Sequence, residues 1–296
     1  MSVNYSFVKT PEELTAAATL TQSADFFEQE KIQVFWTIEE EVARRVLPPR
    51  MEPFMPLGKP VMLAYISYFG RPKYLYPYTE GALFMLVQCE GRVGVYCFAM
   101  PLDGNDQAMD AGRQFFGYPK KQAFVKLEQR GDKLFGFIER NDVRFFEVEL
   151  TLGEPLNDLQ AGPIIIGAEG PGELEDDVLI LKYDLDNVVD EPFVRNARIN
   201  AQRNVTRFHE RVNGRVERME FRPSEDDPWI ELAPPTPDHI LGGQYIKYKT
   251  GMKPATRIYT YAQSEYDDLL PYLWPMWDTA LMGKVHRSHR TENFWR

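Results

Sequence analysis

The chain has 296 residues, of which 44% are hydrophobic and 26% are charged, with 34 lysines and arginines against 44 aspartates and glutamates. This composition is that of a globular protein long enough to bury a sizeable core. The formal net charge of -10 argues against functions that depend on general electrostatic attraction to nucleic acid or to a membrane surface. No apolar run approaches the ~18 residues of a membrane span, and the first twenty residues lack a signal-peptide pattern, so we predict an uncleaved, cytoplasmic protein.

The first half of the chain is predicted to form short helices and a succession of β-strands. We predict helices over 11–20 and 38–47, the second with a capping box from Thr37 and Glu40 and an end at Pro48-Pro49. Aromatic and β-branched runs predict the strands 32–36, 61–69, 82–88, 93–100, 123–127, 135–139 and 144–152, with a short helix over 105–115.

The second half is predicted to be a loop over 156–175, then a long hairpin over 197–221 that turns at Asn213-Gly214. Strands over 246–249 and 257–261 and a helix over 264–281, interrupted by prolines, complete the chain. No repeat or low-complexity linker divides the sequence. We therefore predict a single domain, 1–296, that is mainly β.

Motifs for cofactors and metals are weak. The glycine-rich loop 167–172 is a poor phosphate site, because Pro171 removes an amide donor and Glu169 adds a negative charge. The four histidines lack the spacing of metal ligands, and Cys89 and Cys97 are spaced neither for zinc nor for a redox pair. We expect no cofactor, no metal and two reduced thiols.

The segment from Gly112 to Lys121 carries the most information about chemistry. A lysine attacks ketones only when its amine is neutral, and at its ordinary pKa about one lysine in two thousand is neutral at pH 7. An apolar pocket or an adjacent cation lowers that pKa. Around Lys120 the sequence offers apolar surface from Phe116 and Tyr118 and positive charge from Arg113 and Lys121. Because side chains alternate along a strand, only one of the two consecutive lysines can point into a barrel interior.

These residues resemble the signature of the acetoacetate decarboxylase family, in which a Gly-Arg-Glu segment runs into Pro-Lys-Lys. The stretch 45–52, RVLPPRME, is similar to the family's Leu-Val-Pro segment, and Tyr78-Thr79-Glu80-Gly81 is similar to its Tyr-Thr-Glu segment. The resemblance covers about residues 32–152. It implies that Lys120 forms a Schiff base and that Glu80 is a catalytic carboxylate. It also implies an antiparallel β-barrel with flanking helices, in the α+β and mainly β class, assembled as a homo-oligomer.

The sequence departs from the family pattern at three positions. An ungapped alignment places Gln29 where the family has an arginine and Ala64 where it has a second glutamate, and Gln114 replaces the glutamate of Gly-Arg-Glu. Loss of a cation and of carboxylates changes how a substrate is held, so acetoacetate itself is not implied as the substrate. With alanine at position 64, larger substrates are conceivable.

The resemblance implies a lyase that needs no cofactor and acts on a small-molecule keto acid through a lysine imine. Two reactions stay open, decarboxylation of a β-keto acid and an aldolase-dehydratase reaction of a pyruvate-like substrate. Arg113 either binds a substrate carboxylate or forms a structural ion pair. From a different class, a barrel that binds a ligand without turnover would use Lys120 only as a charge.

Overall fold

The structure is a computed structural model that describes residues 6–22, 24–186, 193–273 and 275–278, and it is mainly β with few helices. The strands are β1 Ala24–Thr37, β2 Glu52–Pro53, β3 Val61–Phe69, β4 Tyr78–Cys89, β5 Arg92–Asp103, β6 Lys120–Gln122, β7 Phe124–Arg130, β8 Lys133–Arg140, β9 Val143–Leu152, β10 Gly172–Leu185, β11 Val194–Phe221, β12 Ile240–Met252 and β13 Thr256–Thr260. The helices are α1 Pro11–Gln22, α2 Glu40–Val46, α3 Asp106–Ala111, α4 Gly162–Ile166 and α5 Tyr266–Leu269.

Seven strands close into a ring. Their order is β10-β5-β4-β3-β1-β12-β11, and pairing of β11 with β10 completes the circle. Most neighbours are antiparallel, as predicted, but along the edge that faces away from β4, β5 pairs in parallel first with β10 and then with β6. The predicted mainly-β barrel fold is therefore confirmed, with a mixed rather than a purely antiparallel sheet.

The sheet continues past the ring through β9, β8 and β7, which cover part of its outer face. Side chains that alternate along β1 and β3, such as Ile32 and Ile66, point outward into a buried cluster with Ile138 of β8. The packing is close at Gly136, where an added Cβ would lie 2.6 Å from Ile66 Cδ1, so a larger residue would force the isoleucine side chains to shift. The ring strands beneath β7–β9 therefore present one face to this covering layer and the other to the interior.

Strand β11 overturns the predicted hairpin. Asn213 and Gly214 lie within one continuous strand, paired with Gln244 and Gly243 of β12. The strand is long because it changes partners, from β10 along its first part to β9 along its last. A Cβ at Gly214 would lie 2.6 Å from the Thr151 carbonyl oxygen, so this glycine serves close strand packing and not a turn.

Three smaller predictions also need correction. Helix α2 begins after Glu39 without a side-chain cap, so the predicted capping box from Thr37 is wrong. The predicted loop 156–175 contains α4 and the start of β10. The predicted helix 264–281 consists of short helical turns up to Tyr272, and its end lies outside the described residues. Within the described part of the chain, no helix is both long and apolar enough to span a membrane.

Candidate active site

The interior of the ring holds a cavity of about 310 Å³. All seven ring strands contribute to its wall: Asp176 and Val178 from β10, Val95 and Met100 from β5, Tyr78, Glu80 and Phe84 from β4, Leu63, Tyr65 and Phe69 from β3, Gln29 and Lys31 from β1, Tyr248 and Thr250 from β12, and Asn204 and Thr206 from β11. Most of this wall is aromatic or aliphatic, and a few polar groups converge within it. Such a cavity is the usual form of a small-molecule site.

Local backbone geometry places Lys120 at the cavity wall. Helix α3 runs into a π-helical turn over Gly112–Phe116, which ends at Gly117 with a φ of 88°. The chain then joins the sheet as β6, where Lys120 lies beside Met100 of β5. The lysine stem packs directly on Gly112, since a Cβ there would lie 2.3 Å from Lys120 Cε. The π-helical turn thus supports the Lys120 side chain. Such turns are uncommon and are found often at functional sites.

Glu80 accepts hydrogen bonds from two side chains in the cavity. The Lys120 ammonium forms a buried ion pair with Glu80 Oε2. Tyr65 Oη donates to Glu80 Oε1 over 2.8 Å. Lys120 and Glu80 are only 5% and 2% exposed. The structure therefore brings together the amine and the carboxylate that the sequence predicted, although they lie 40 residues apart in the chain.

Tyrosines surround this pair. Burial, together with the Glu80 carboxylate, raises the pKa of Tyr65 well above its ordinary value, so its hydroxyl stays protonated. The ring of Tyr78 lies 5.5 Å from Lys120 Nζ. Tyr248 shares a hydrogen bond of 3.1 Å with Ser67.

Lys121 points away from the cavity, as strand alternation requires. Its ammonium contacts the Asp226 carbonyl oxygen and lies 3.4 Å from both Asp227 Oδ1 and Asp278 Oδ1. Arg140 joins the same carboxylates, at 3.1 Å from Asp227 Oδ2. Lys121 thus holds β6 to these residues on the side away from the cavity. Its positive charge, which was predicted to lower the pKa of Lys120, is compensated by these carboxylates.

The other predicted site residues divide into two groups. Gln29, Phe116 and Tyr118 line the cavity. Arg113 lies outside the wall, with its guanidinium 5.1 Å from the centre of the Trp277 ring. This contact corresponds to neither of the two roles predicted for Arg113, which were binding of a substrate carboxylate and a structural ion pair. Phe116 and Tyr118 lie with their ring centres 6.3 Å apart on the approach to Lys120.

The prediction that Ala64 borders the pocket is wrong. Ala64 is fully buried in the outer cluster beneath β7–β9, and the cavity-facing residues of β3 are its neighbours Leu63 and Tyr65. An ungapped alignment cannot fix strand phase, and an error of one residue exchanges the two faces. The substrate volume expected from alanine at this position does not exist, because Tyr65 projects inward beside it.

Two charged residues of the wall were missed by the sequence analysis. Lys31 and Asp176 both line the cavity, and burial lowers the pKa of Lys31 to about 8 and raises the pKa of Asp176 to about 6. In the sequence each belongs to a run of charged and polar residues typical of solvent-facing strands. Only closure of the ring shows that they point inward.

Metal ligands do not cluster anywhere in the described ranges. His239 contacts Lys59 and Thr236 at the surface, and His209 lies on β11 outside the cavity wall. His286 and His289 lie outside the described residues. The cysteines are buried as free thiols.

A sequence model of the acetoacetate decarboxylase (ADC) family matches residues 9–261. This chain is therefore a member of the acetoacetate decarboxylase family. A CLA biosynthesis isomerase from Lactiplantibacillus plantarum is 27% identical to it over 259 residues, 83% of this chain and 86% of that protein. The acetoacetate decarboxylase of Clostridium acetobutylicum is 29% identical over 137 residues, 46% of this chain and 53% of that enzyme.

Solved structures agree with this assignment at the level of the fold. A structure of acetoacetate decarboxylase superposes with a TM-score of 0.67 at 21% identity, covering 81% of this chain and 91% of the other. The enduracididine biosynthesis enzyme MppR, complexed with pyruvate, superposes with a TM-score of 0.61 at 18% identity, covering 88% and 99%. The predicted resemblance is confirmed. The family nevertheless contains proteins named for different reactions.

Proposed function

We propose that this protein is a cofactor-independent enzyme in which Lys120 forms an imine with the ketone of an apolar oxo acid. The observation that carries the proposal is the buried contact of Lys120 with Glu80 at the wall of a mostly apolar cavity. A lysine in contact with a carboxylate supplies the two groups that imine chemistry needs, an amine nucleophile and a partner that takes and returns its proton.

The reaction begins when Lys120 transfers a proton to Glu80 and its neutral amine attacks the carbonyl carbon. A C–N bond forms while the carbonyl π bond breaks. The oxygen takes the proton from Glu80 to give a carbinolamine, and the carboxylate regains a proton from the attacking nitrogen. Protonation by Glu80 then lets this oxygen leave as water, which gives an iminium ion. Tyr65, held on the other carboxylate oxygen, orients Glu80 during these transfers. The iminium withdraws electrons from the adjacent carbon, and this makes the next bond cleavage possible.

For a β-keto acid, the bond that breaks joins the α-carbon to the carboxylate. Carbon dioxide leaves, the electron pair forms an enamine, and protonation at carbon followed by hydrolysis of the imine releases a ketone and restores Lys120. With a pyruvate-like substrate, loss of an α-proton gives an enamine that adds to an aldehyde. These are the two lyase reactions that the lysine motif implies.

A second candidate is isomerisation through the same imine. It is favoured by the relative named a CLA biosynthesis isomerase, which aligns over 83% of this chain. In this reaction Glu80 removes a proton from one carbon, the electron pair delocalises through the enamine, and a proton returns at another carbon. No carbon–carbon bond breaks, so the product has the mass of the substrate.

The proposal is tested by borohydride reduction in the presence of acetoacetate, pyruvate or 5-oxohexanoate, with intact mass measurement and peptide mapping. The expected result is a reduced adduct on Lys120. Release of carbon dioxide identifies the decarboxylase, and deuterium uptake from heavy water without carbon dioxide release identifies proton transfer. Absence of an adduct on Lys120 with all three ketones would contradict imine formation. It would favour the alternative function, a barrel that binds a ligand without turnover.

Tyr65→Phe is expected to slow imine formation roughly two- to tenfold, because one hydrogen bond that orients Glu80 is worth about 0.5–1.5 kcal/mol. The adduct should still map to Lys120. The rate of borohydride-trapped adduct formation measures the effect. Tyr68→Phe is the matched control, since Tyr68 lies on the same strand with its side chain exposed. Equal rates for the Tyr65 and Tyr68 variants would refute the role of Tyr65.

A further inference from the structure

Lys31 occupies an unusual position in the cavity wall. Its ammonium lies over two aromatic faces, 5.4 Å from the centre of the Tyr65 ring and 5.0 Å from the centre of the Tyr248 ring. Charge on an aromatic face is stabilised only in part, because the ring offers no hydrogen-bond acceptor of full strength. No step from imine formation to hydrolysis involves Lys31.

Among the described residues, no carboxylate lies within 4.0 Å of the Lys31 ammonium, and no hydrogen-bond acceptor reaches it. Asp176 is close enough to favour the charged form of Lys31 but does not form an ion pair with it. The Lys31 side chain is only partly exposed, and ammonium groups held largely out of water are normally paired. Lys31 thus presents its donors to the cavity beside the aromatic faces of Tyr65 and Tyr248.

Lys31 and Lys120 approach the cavity from different parts of the wall. Lys120 lies on β6, which adjoins β5, whereas Lys31 lies on β1, and β4 and β3 stand between these ring strands. The Tyr65 side chain connects the two, with its hydroxyl on Glu80 and its face under Lys31. A ligand that contacts both amines must therefore extend along Tyr65.

We propose that Lys31 binds the carboxylate of the substrate, so that the substrate is an oxo acid whose carboxylate is separated from its ketone by several carbons. This inference rests on the proposed function, which places the ketone at Lys120. The aromatic side chains between the two amines contact the connecting methylenes. A carboxylate bound by Lys31 lies too far from the imine to be the group that leaves as carbon dioxide. Carboxylate binding by Lys31 therefore favours proton transfer over decarboxylation of a simple β-keto acid.

The test compares 5-oxohexanoate with its methyl ester, which keeps the ketone and removes the charge. Borohydride trapping at Lys120 is measured against ligand concentration for the wild type, Lys31→Met and Lys247→Met. Lys247 is the matched control, a lysine of the adjacent strand β12 whose ammonium pairs with Glu210 on the outside. We expect Lys31→Met to raise the half-saturating concentration of the acid at least tenfold and to leave that of the ester unchanged.

Calorimetric titration with hexanoate and with hexanamide separates this inference from the imine chemistry. Binding of hexanoate that is preferred over hexanamide and is lost in Lys31→Met would support carboxylate binding by Lys31, whether or not an adduct forms. If no adduct forms but this binding is seen, only the proposed imine chemistry is refuted. Equal binding of hexanoate by the wild type and Lys31→Met would overturn carboxylate binding by Lys31, as would an equal loss of acid and ester trapping. A fold defect is detected by the thermal unfolding midpoint, and Lys31→Gln, which keeps polarity and removes charge, then replaces Lys31→Met.

Discussion

Lys120→Met is expected to abolish the borohydride adduct and to destabilise the fold. The adduct disappears because the amine that forms the imine is gone. Stability falls because Glu80 is almost completely buried and loses its cationic partner. Breaking a buried ion pair by removing one member costs about 3–5 kcal/mol, since the other charge stays without compensation. Denaturant unfolding at pH 7 measures the loss.

The double variant Lys120→Met with Glu80→Gln separates the two effects. The amide carries no charge, so most of the lost free energy of unfolding should return while the adduct stays absent. Lys121→Met is the matched control, because this neighbouring lysine is also buried and paired with carboxylates but points away from the cavity. Its adduct should persist on Lys120. An adduct that survives in Lys120→Met would contradict the assignment of the imine-forming lysine.

The sequence predicted most strand positions because each ring strand is an apolar run bounded by turn residues. Val61–Phe69 is predicted to the residue, for example, since both of its faces are buried. The predicted hairpin in β11 was wrong because Asn-Gly is also compatible with a strand crossing another at close range. Local turn preference cannot reveal that β12 and β9 pair with successive parts of one strand, which meet at Gly214.

The site was predictable only where residue type and motif agree. Lys120 and Glu80 were found because their segments resemble the family signature, and the structure joins them across strands β4 and β6. Tyr65 and Lys31 were not found, because inward orientation depends on strand phase and ring closure, which are long-range properties. For Tyr65 the ungapped alignment was wrong by one residue, because it placed Ala64 at the pocket instead of Tyr65. The single domain and the homo-oligomer stay predictions.

Gly112→Ala is expected to leave the protein folded and to slow imine formation by about 100-fold, the effect of moving a reacting group by about 1 Å. Gly112 has a φ of -59°, so alanine fits its backbone without strain. An added Cβ, however, would lie 2.3 Å from Lys120 Cε and 2.4 Å from Cδ. Because the lysine stem is flexible and the helical backbone is not, the stem moves and the amine leaves its position beside Glu80.

The rate of adduct formation and the midpoint of thermal unfolding together test this prediction. Gln114→Ala is the control, since Gln114 lies in the same π-helical turn with its side chain exposed. A larger loss in Gly112→Ser than in Gly112→Ala would follow from the greater volume of serine. An unchanged rate in Gly112→Ala at an unchanged unfolding midpoint would show that Lys120 does not need this support. A fall of both rate and midpoint would instead show that the turn is required for folding. Loss of rate at an unchanged midpoint is the expected result, because only the position of one amine is altered.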